Sequence, residues 1–165
     1  MSAYTGNPEL ETAEAITNNG FFPDLTLLEL AVNYRVPNEY EIEVIKDRLI
    51  TAMIDVNTQL IPVRDDLSAY YPTLASYCAV HSDQIDGVEV LISKYKEAVF
   101  SYARSFLLQR IKPTDPKEAY KTVAENQETE DYWRKRSLDA ISYIFRRVGV
   151  TYTATGRTSA FAILV

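Results

Sequence analysis

One cysteine, one histidine and five glycines stand in a chain of 165 residues. Each scarcity removes a class of protein. With Cys78 alone, no disulfide can form within the chain, so the fold must rest on its own core. Cys78-x-x-His81 has the spacing of half a zinc site. No other Cys or His exists to complete it, and carboxylates or a second chain would have to supply the rest. Both are read as loop residues with no metal role. No elbow motif surrounds either, so neither a Ser-His-Asp nor a Cys-His constellation can be assembled. The glycines, at 6, 20, 87, 149 and 156, never form the Gly-rich turn that cradles a phosphate. The acidic residues lack the Glu-x-x-His pairs of di-metal bundles. The expectation is a protein without catalytic centre, metal or cofactor; a small helical enzyme working through surface carboxylates is the weaker rival.

Long apolar runs are also missing. None approaches the ~20 residues that span a bilayer, and the amino terminus has neither the basic nor the apolar region of a signal peptide. A soluble, unprocessed chain with no membrane partner is expected. Positive charge is in deficit, with 17 Lys and Arg against 23 Asp and Glu, a net −6. That excludes a nonspecific nucleic-acid binder, which displaces counterions with clustered cations. It leaves room for a protein that surrounds DNA without gripping it.

What is present suits one all-α domain. Hydrophobic residues at 47% suffice for a core at this length. From Asp86 to Ile111, Val88, Ile92, Tyr95, Val99, Tyr102 and Phe106 recur at steps of four and three, one face of a helix. Leu91, Ala98, Phe100, Ala103 and Leu107 widen that face beyond half the circumference. Ser93, Glu97, Ser101 and Arg104 are left to a polar arc. So broad an apolar surface needs cover on two sides, making this the central helix of a bundle of about four. Asp83 is placed to cap it.

Residues 1–20 are polar and acidic and read as a mobile arm, the bundle domain occupying 21–149 and an extended tail 150–165. Phe21 and Phe22 act as staple or lid. Thr26-Leu-Leu-Glu29 has the form of a capping box, predicting a short helix over Thr26–Tyr34 that buries Leu27, Leu30 and Ala31. Asn38 is taken as the N-cap of a second helix striped by Ile42, Ile45, Leu49, Ala52, Met53, Val56 and Leu60. Pro62 stops or kinks it, and a turn or two resumes over Arg64–Tyr71. Pro72–Ser82 shows no period and reads as a connector.

A last helix is predicted from Asp115-Pro116 to Val148, ended by Gly149. Its stripe of Ser137, Ala140, Ile141, Ile144, Phe145 and Val148 follows two charge bands. The first is acidic and includes Glu125, Glu128, Glu130 and Asp131; the second is Arg134, Lys135 and Arg136. Such bands are either solvated faces or a head-to-tail contact between identical subunits, acid to base. The tail ends on Phe161, Ala162, Ile163, Leu164 and Val165. An apolar terminus either folds back on its own bundle or adds to a neighbouring chain, as main-chain strand addition does. With Tyr152, the residues Phe161, Ile163, Leu164 and Val165 are its candidate contacts.

Phe22–Leu30 (FPDLTLLEL) followed by Tyr34–Pro37 (YRVP) resembles the opening of the head completion proteins of temperate contractile-tailed phages. The similarity continues through Asp55–Leu60 (DVNTQL), Asp83–Val88 (DQIDGV) and Glu130–Ile141 (EDYWRKRSLDAI), covering about Phe21–Val148. The resemblance implies an all-α head–tail connector adaptor with no catalytic residues. It implies assembly with itself into a ring, commonly twelve-membered, beneath the portal protein once DNA is packaged. The ring would seal the head, let DNA pass without sequence-specific binding, and offer a stopper or tail-completion protein a docking surface. The implied location is the virion neck, with the host cytoplasm during assembly. The competing class is a cytosolic helical regulatory or adaptor protein acting as a homo-oligomer.

Overall fold

A computed structural model describes residues 15–36, 40–109 and 130–150. Among the described residues there are six helices and one small hairpin: α1 (Leu27–Asn33), α2 (Ile42–Gln59), α3 (Ile61–Ser68), α4 (Leu74–His81), β1 (Gln84–Ile85), β2 (Val88–Glu89), α5 (Val90–Gln109) and α6 (Glu130–Val148). The fold class is all-α, as expected, and α5 is its centre, packed mainly between α6 and α2.

The chain enters as a pinned loop. Ile16 and Leu25 pair across an antiparallel bridge, with hydrogen bonds of 2.7 and 3.2 Å. Between them the Asn19 side chain accepts from the Phe21 and Phe22 amides, both at 3.1 Å, while the Asn18 amide donates to Asp24 Oδ1 at 2.7 Å. Residues 15–20, expected to belong to the arm, are thereby joined to the bundle; the earlier part of the arm lies outside the described residues. The two phenylalanines are buried, Phe22 stacking on the Tyr95 ring with centroids 4.7 Å apart. The lid reading therefore has its physical basis in a stack on the central helix.

In α1 the Thr26 hydroxyl oxygen accepts from the Glu29 amide at 3.2 Å, the predicted cap. Leu27, Leu30 and Ala31 are buried there. In α2 the predicted stripe is buried from Ile45 to Leu60, with Ile42 half-covered at its start. Its N-cap, however, is Glu41, which makes no side-chain cap bond; Asn38 lies outside the described residues. Helix α2 ends at Gln59, and α3 starts at once with Pro62 in its first turn. Proline at that position sacrifices no helical hydrogen bond, because those amides have no partner in any case.

Two expectations fail between Pro72 and Val90. The connector contains α4, opened by a capping box in which the Thr73 and Ser76 side chains each accept from the other's amide, at 3.1 and 3.2 Å. Only Leu74 and Cys78, one turn apart, are buried on it, so its apolar face is too narrow to show as a period. The central helix, secondly, does not begin at Asp86. Asp86 and Gly87 take φ of 52° and 74°, the two positive values that a type I′ hairpin turn demands. Ile85 pairs with Val88 and Gln84 with Glu89, and the helix starts at Val90. Val88 thus belongs to an exposed strand rather than to the helix face.

Along α5, Leu91, Tyr95, Ala98, Val99, Phe100, Ala103 and Leu107 are buried and Ile92, Tyr102 and Phe106 half-covered, but Ser101, Arg104 and Ser105 are buried too. Of the expected polar arc, Ser101 and Arg104 are thus inside, while Glu97 is half-covered by its contact with α6 and Ser93 stays exposed. Ser137 donates its hydroxyl to the Ala98 carbonyl at 2.8 Å, and small side chains at both positions let the helices close. On α6, Trp133, Ser137, Ala140, Ile141, Ile144 and Phe145 are buried, with Val148 half-covered. Gly149, at φ 83°, ends the helix. The predicted portion of this helix before Glu130, the end of α5 beyond Gln109 and the tail from Thr151 all lie outside the described residues.

Candidate subunit contact face

Of the two charge bands, Glu130, Asp131, Arg134, Lys135 and Arg136 lie in the first two turns of α6. Their contents divide by where α5 lies. Arg136 points toward α5 and donates from Nε to Glu97 Oε1 at 2.8 Å. Glu97 also accepts from Lys94 Nζ at 2.7 Å. Burial works to raise the Glu97 carboxyl, but the bonds from Lys94 and Arg136 outweigh it and hold the group below the usual carboxylate range. The Arg136 guanidinium also lies 5.5 Å from the Trp133 ring and 5.9 Å from the Tyr34 ring, cation–π distances. Arg134 Nε lies 3.3 Å from Glu130 one turn back, with its guanidinium 5.9 Å from the Tyr102 ring.

Asp131 and Lys135 behave otherwise. Both are exposed and neither forms an ion pair among the described residues. They lie one turn apart on the side of α6 turned away from α5, with Tyr132 half-exposed beside them. Of the seven band residues named from sequence, Glu125 and Glu128 fall outside the described residues. So do all the tail candidates: Tyr152, Phe161, Ile163, Leu164 and Val165.

Beside the Glu97 junction is a cleft of about 210 Å³ lined by Glu29, Asn33, Tyr34, Ser93, Lys96, Glu97, Phe100 and Arg136. Its charges neutralise one another, Lys96 with Glu29 and Arg136 with Glu97, so it presents no net field to a ligand. Cys78 and His81 do not converge on anything resembling a metal site. The Cys78 thiol is buried and pushed up to about 11, chiefly by desolvation, and His81 Nε2 meets the Tyr71 hydroxyl at 2.6 Å. No group of three or more His, Cys, Asp and Glu suited to a metal occurs among the described residues. No helix among them is long and apolar enough to cross a membrane.

Two polar arrangements escaped sequence reasoning. One is Glu97 as the common acceptor for two cations. The other joins three elements: Tyr95 donates to Asn57 Oδ1 at 2.8 Å, Asn18 Nδ2 donates to the Tyr95 oxygen at 2.7 Å, and Asn57 Nδ2 donates to Asn18 Oδ1 at 2.7 Å. Asn57 falls within a stretch that carried the family resemblance, the one signal that touched this ring.

Helices packed around α5 over one hydrophobic core define an all-α protein. A family model for phage head completion proteins (GPL) matches residues 16–152. The chain belongs to that family, a family of structural proteins. The resemblance read from Phe21–Val148 falls wholly inside the matched residues. No curated protein and no solved structure matches the chain. Phe161–Val165 lie beyond the matched region.

Proposed function

We propose that this head completion protein is a neck adaptor, assembling with itself as a ring below the portal protein after DNA packaging. In this reading residues 21–149 are the rigid body, and the tail is the anchor to the portal. Neighbouring bodies meet side to side at the amino-terminal end of α6, acidic residues of one against basic residues of the next. Asp131 and Lys135 are favoured for that contact because the described structure leaves them exposed and unpaired. Exposed charge pairs contribute little energy but bias approach and register. The net charge of −6 suits a lumen that repels DNA and lets it slide.

The observation that carries the reading is the family match over residues 16–152. The test is to mix purified protein with filled, portal-bearing capsids and image the vertex. A collar of density below the portal is the expected result. A stable dimer indifferent to capsids would replace this reading with that of a cytosolic homo-oligomeric adaptor. Deleting residues 160–165 should leave the helical circular dichroism intact and abolish attachment; full attachment by the truncated protein would remove the tail from the anchoring role.

A further inference from the structure

The hairpin β1–β2 holds an apolar pair that no described residue covers. Ile85 and Val88 stand opposite each other across the ladder, so their side chains share one face. They are 70% and 53% exposed. The other pair, Gln84 and Glu89, turns the opposite way and is joined by an amide-to-carboxylate hydrogen bond. Strands of two residues make a hairpin too short to be stable on its own. An apolar pair at its tip, facing water, adds nothing to its stability unless something packs against it.

The candidates within the chain are the segments outside the described residues, and their composition and attachment points separate them. Helix α5 leaves the hairpin at Val90 and runs twenty residues, about 30 Å. Residues 110–129 begin at its far end and rejoin at Glu130, the end of α6 remote from the hairpin. Residues 37–39 are too few to reach. Residues 1–14 are polar, with Glu9, Glu11 and Glu14.

The carboxyl-terminal fifteen are different on both counts. Arg147, near the end of α6, donates to the His81 carbonyl at 3.3 Å and lies 3.4 Å from the carboxylate of Asp83. Asp83 is the residue before β1, so the end of α6 lies within an arginine side chain's reach of the foot of the hairpin. The eleven residues from Val150 to Phe161 can span up to about 36 Å, more than the approach requires. Phe161, Ile163 and Val165 alternate, so in extended conformation they share a face.

We propose that the apolar end of the tail, Phe161–Val165, docks on the hairpin of its own chain, setting Phe161, Ile163 and Val165 against Ile85 and Val88. The tether gives the tail a high effective concentration at this spot, which no neighbour's tail matches in dilute solution. The docking stands apart from the adaptor reading. If that reading holds as well, the hairpin is where the anchor rests before a portal is available.

The test uses the full-length protein alone, without capsids, so that its failure is separate from any failure of the adaptor reading. Ile85→Cys and Ile163→Cys are introduced together and oxidised mildly at neutral pH. Cys78 is buried and stays out of exchange. The expected product is a cross-linked monomer whose yield does not vary with protein concentration. In the wild type, amide exchange at residues 161–165 should run at least tenfold slower than in an unstructured peptide. Ile85→Asp should remove that protection without loss of helical signal. Cross-linked dimers with concentration-dependent yield would assign the patch to a second copy and overturn the proposal. Unprotected tail amides in the wild type would overturn it whatever the disulfide shows.

Discussion

Replacing Tyr95 by Phe removes one oxygen from the middle of the protein and tests how the amino-terminal loop is fastened. Tyr95 is fully buried in α5. Its hydroxyl is the shared corner of the ring joining Asn18 of the loop to Asn57 of α2. Burial raises the phenol's pKa well above its ordinary value, and its bonds with Asn18 and Asn57 only partly offset this. The hydroxyl therefore stays protonated and the ring of bonds is intact at any workable pH. The substitution keeps the aromatic face that stacks on Phe22 at an interplanar angle of 2°. Any loss then belongs to the hydroxyl, not to packing.

Two hydrogen bonds disappear, each worth a net ~0.5–1.5 kcal/mol. Asn18 Nδ2 keeps its bond to the Pro23 carbonyl at 2.9 Å, and both asparagines are only half-buried, so water recovers part of the loss. The expected destabilisation is about 1–2 kcal/mol. At ~2–4 °C per kcal/mol for a chain of this size, the thermal midpoint should fall by about 2–8 °C. Urea unfolding followed by circular dichroism should show a lower midpoint with unchanged slope, since the surface exposed on unfolding is the same. Amide exchange locates the effect: Ile16 and Leu25, which pair across the loop, should open sooner than α6. Asn18→Ala breaks the same ring from the other side, so the double variant should be non-additive by ~0.5 kcal/mol or more. A change under about 0.3 kcal/mol, or strict additivity, would refute the fastening role.

Glu97→Gln should matter most at neutral pH. Because the carboxyl is held below its ordinary value, its contribution is present above that value and lost as pH falls through the depressed one. Unfolding free energies of wild type and variant should differ by about 1 kcal/mol or less near pH 7, the group being partly exposed, and converge on acidification. Divergence on acidification would contradict the pairing with Lys94 and Arg136. At Gly87 an added Cβ would meet nothing within 4 Å, while φ is 74°. Gly87→Ala should therefore cost roughly 1 kcal/mol from backbone strain alone. That loss should appear as faster exchange at the Gln84–Glu89 amides, with α5 unaffected.

Elements whose evidence is local could be read from the residues. The stripes of α2 and α5, the Thr26–Glu29 cap, the stop at Pro62 and the end at Gly149 all follow from spacing or from one residue's stereochemistry. The hairpin was disguised. Val88 lies four residues before Ile92 and fits the helix period, although Asp86-Gly87 is itself a hairpin signal. For α4, with two buried residues and a Thr–Ser cap, the pattern was too faint. Ser101 and Arg104 looked outward because they are polar; their burial comes from tertiary packing, which no local pattern reveals. The same holds for the face on α6. Its charge bands are plain in the sequence, yet Arg136 is held by Glu97, 39 residues away, and Asn18 finds Tyr95 across 77.

Helix α6 ties these features into one mechanical argument. It is fixed to α5 in its first half by the Arg136–Glu97 pair and the Ser137–Ala98 hydrogen bond. Near its end Ile144 and Phe145 are buried in the core, and Arg147 reaches the residue before the hairpin. A rod held at both places cannot tilt without breaking one set of contacts. Exposed Asp131 and Lys135 near one end and the tail's exit at the other therefore keep a fixed spacing, about 25 Å from the helical rise over the intervening residues. In the proposed ring, the contact that sets one subunit beside the next would then also set where its tail departs. Weak charge contacts would suffice for that task, because the rigid helix, rather than the strength of the contact, would carry the position from one end to the other.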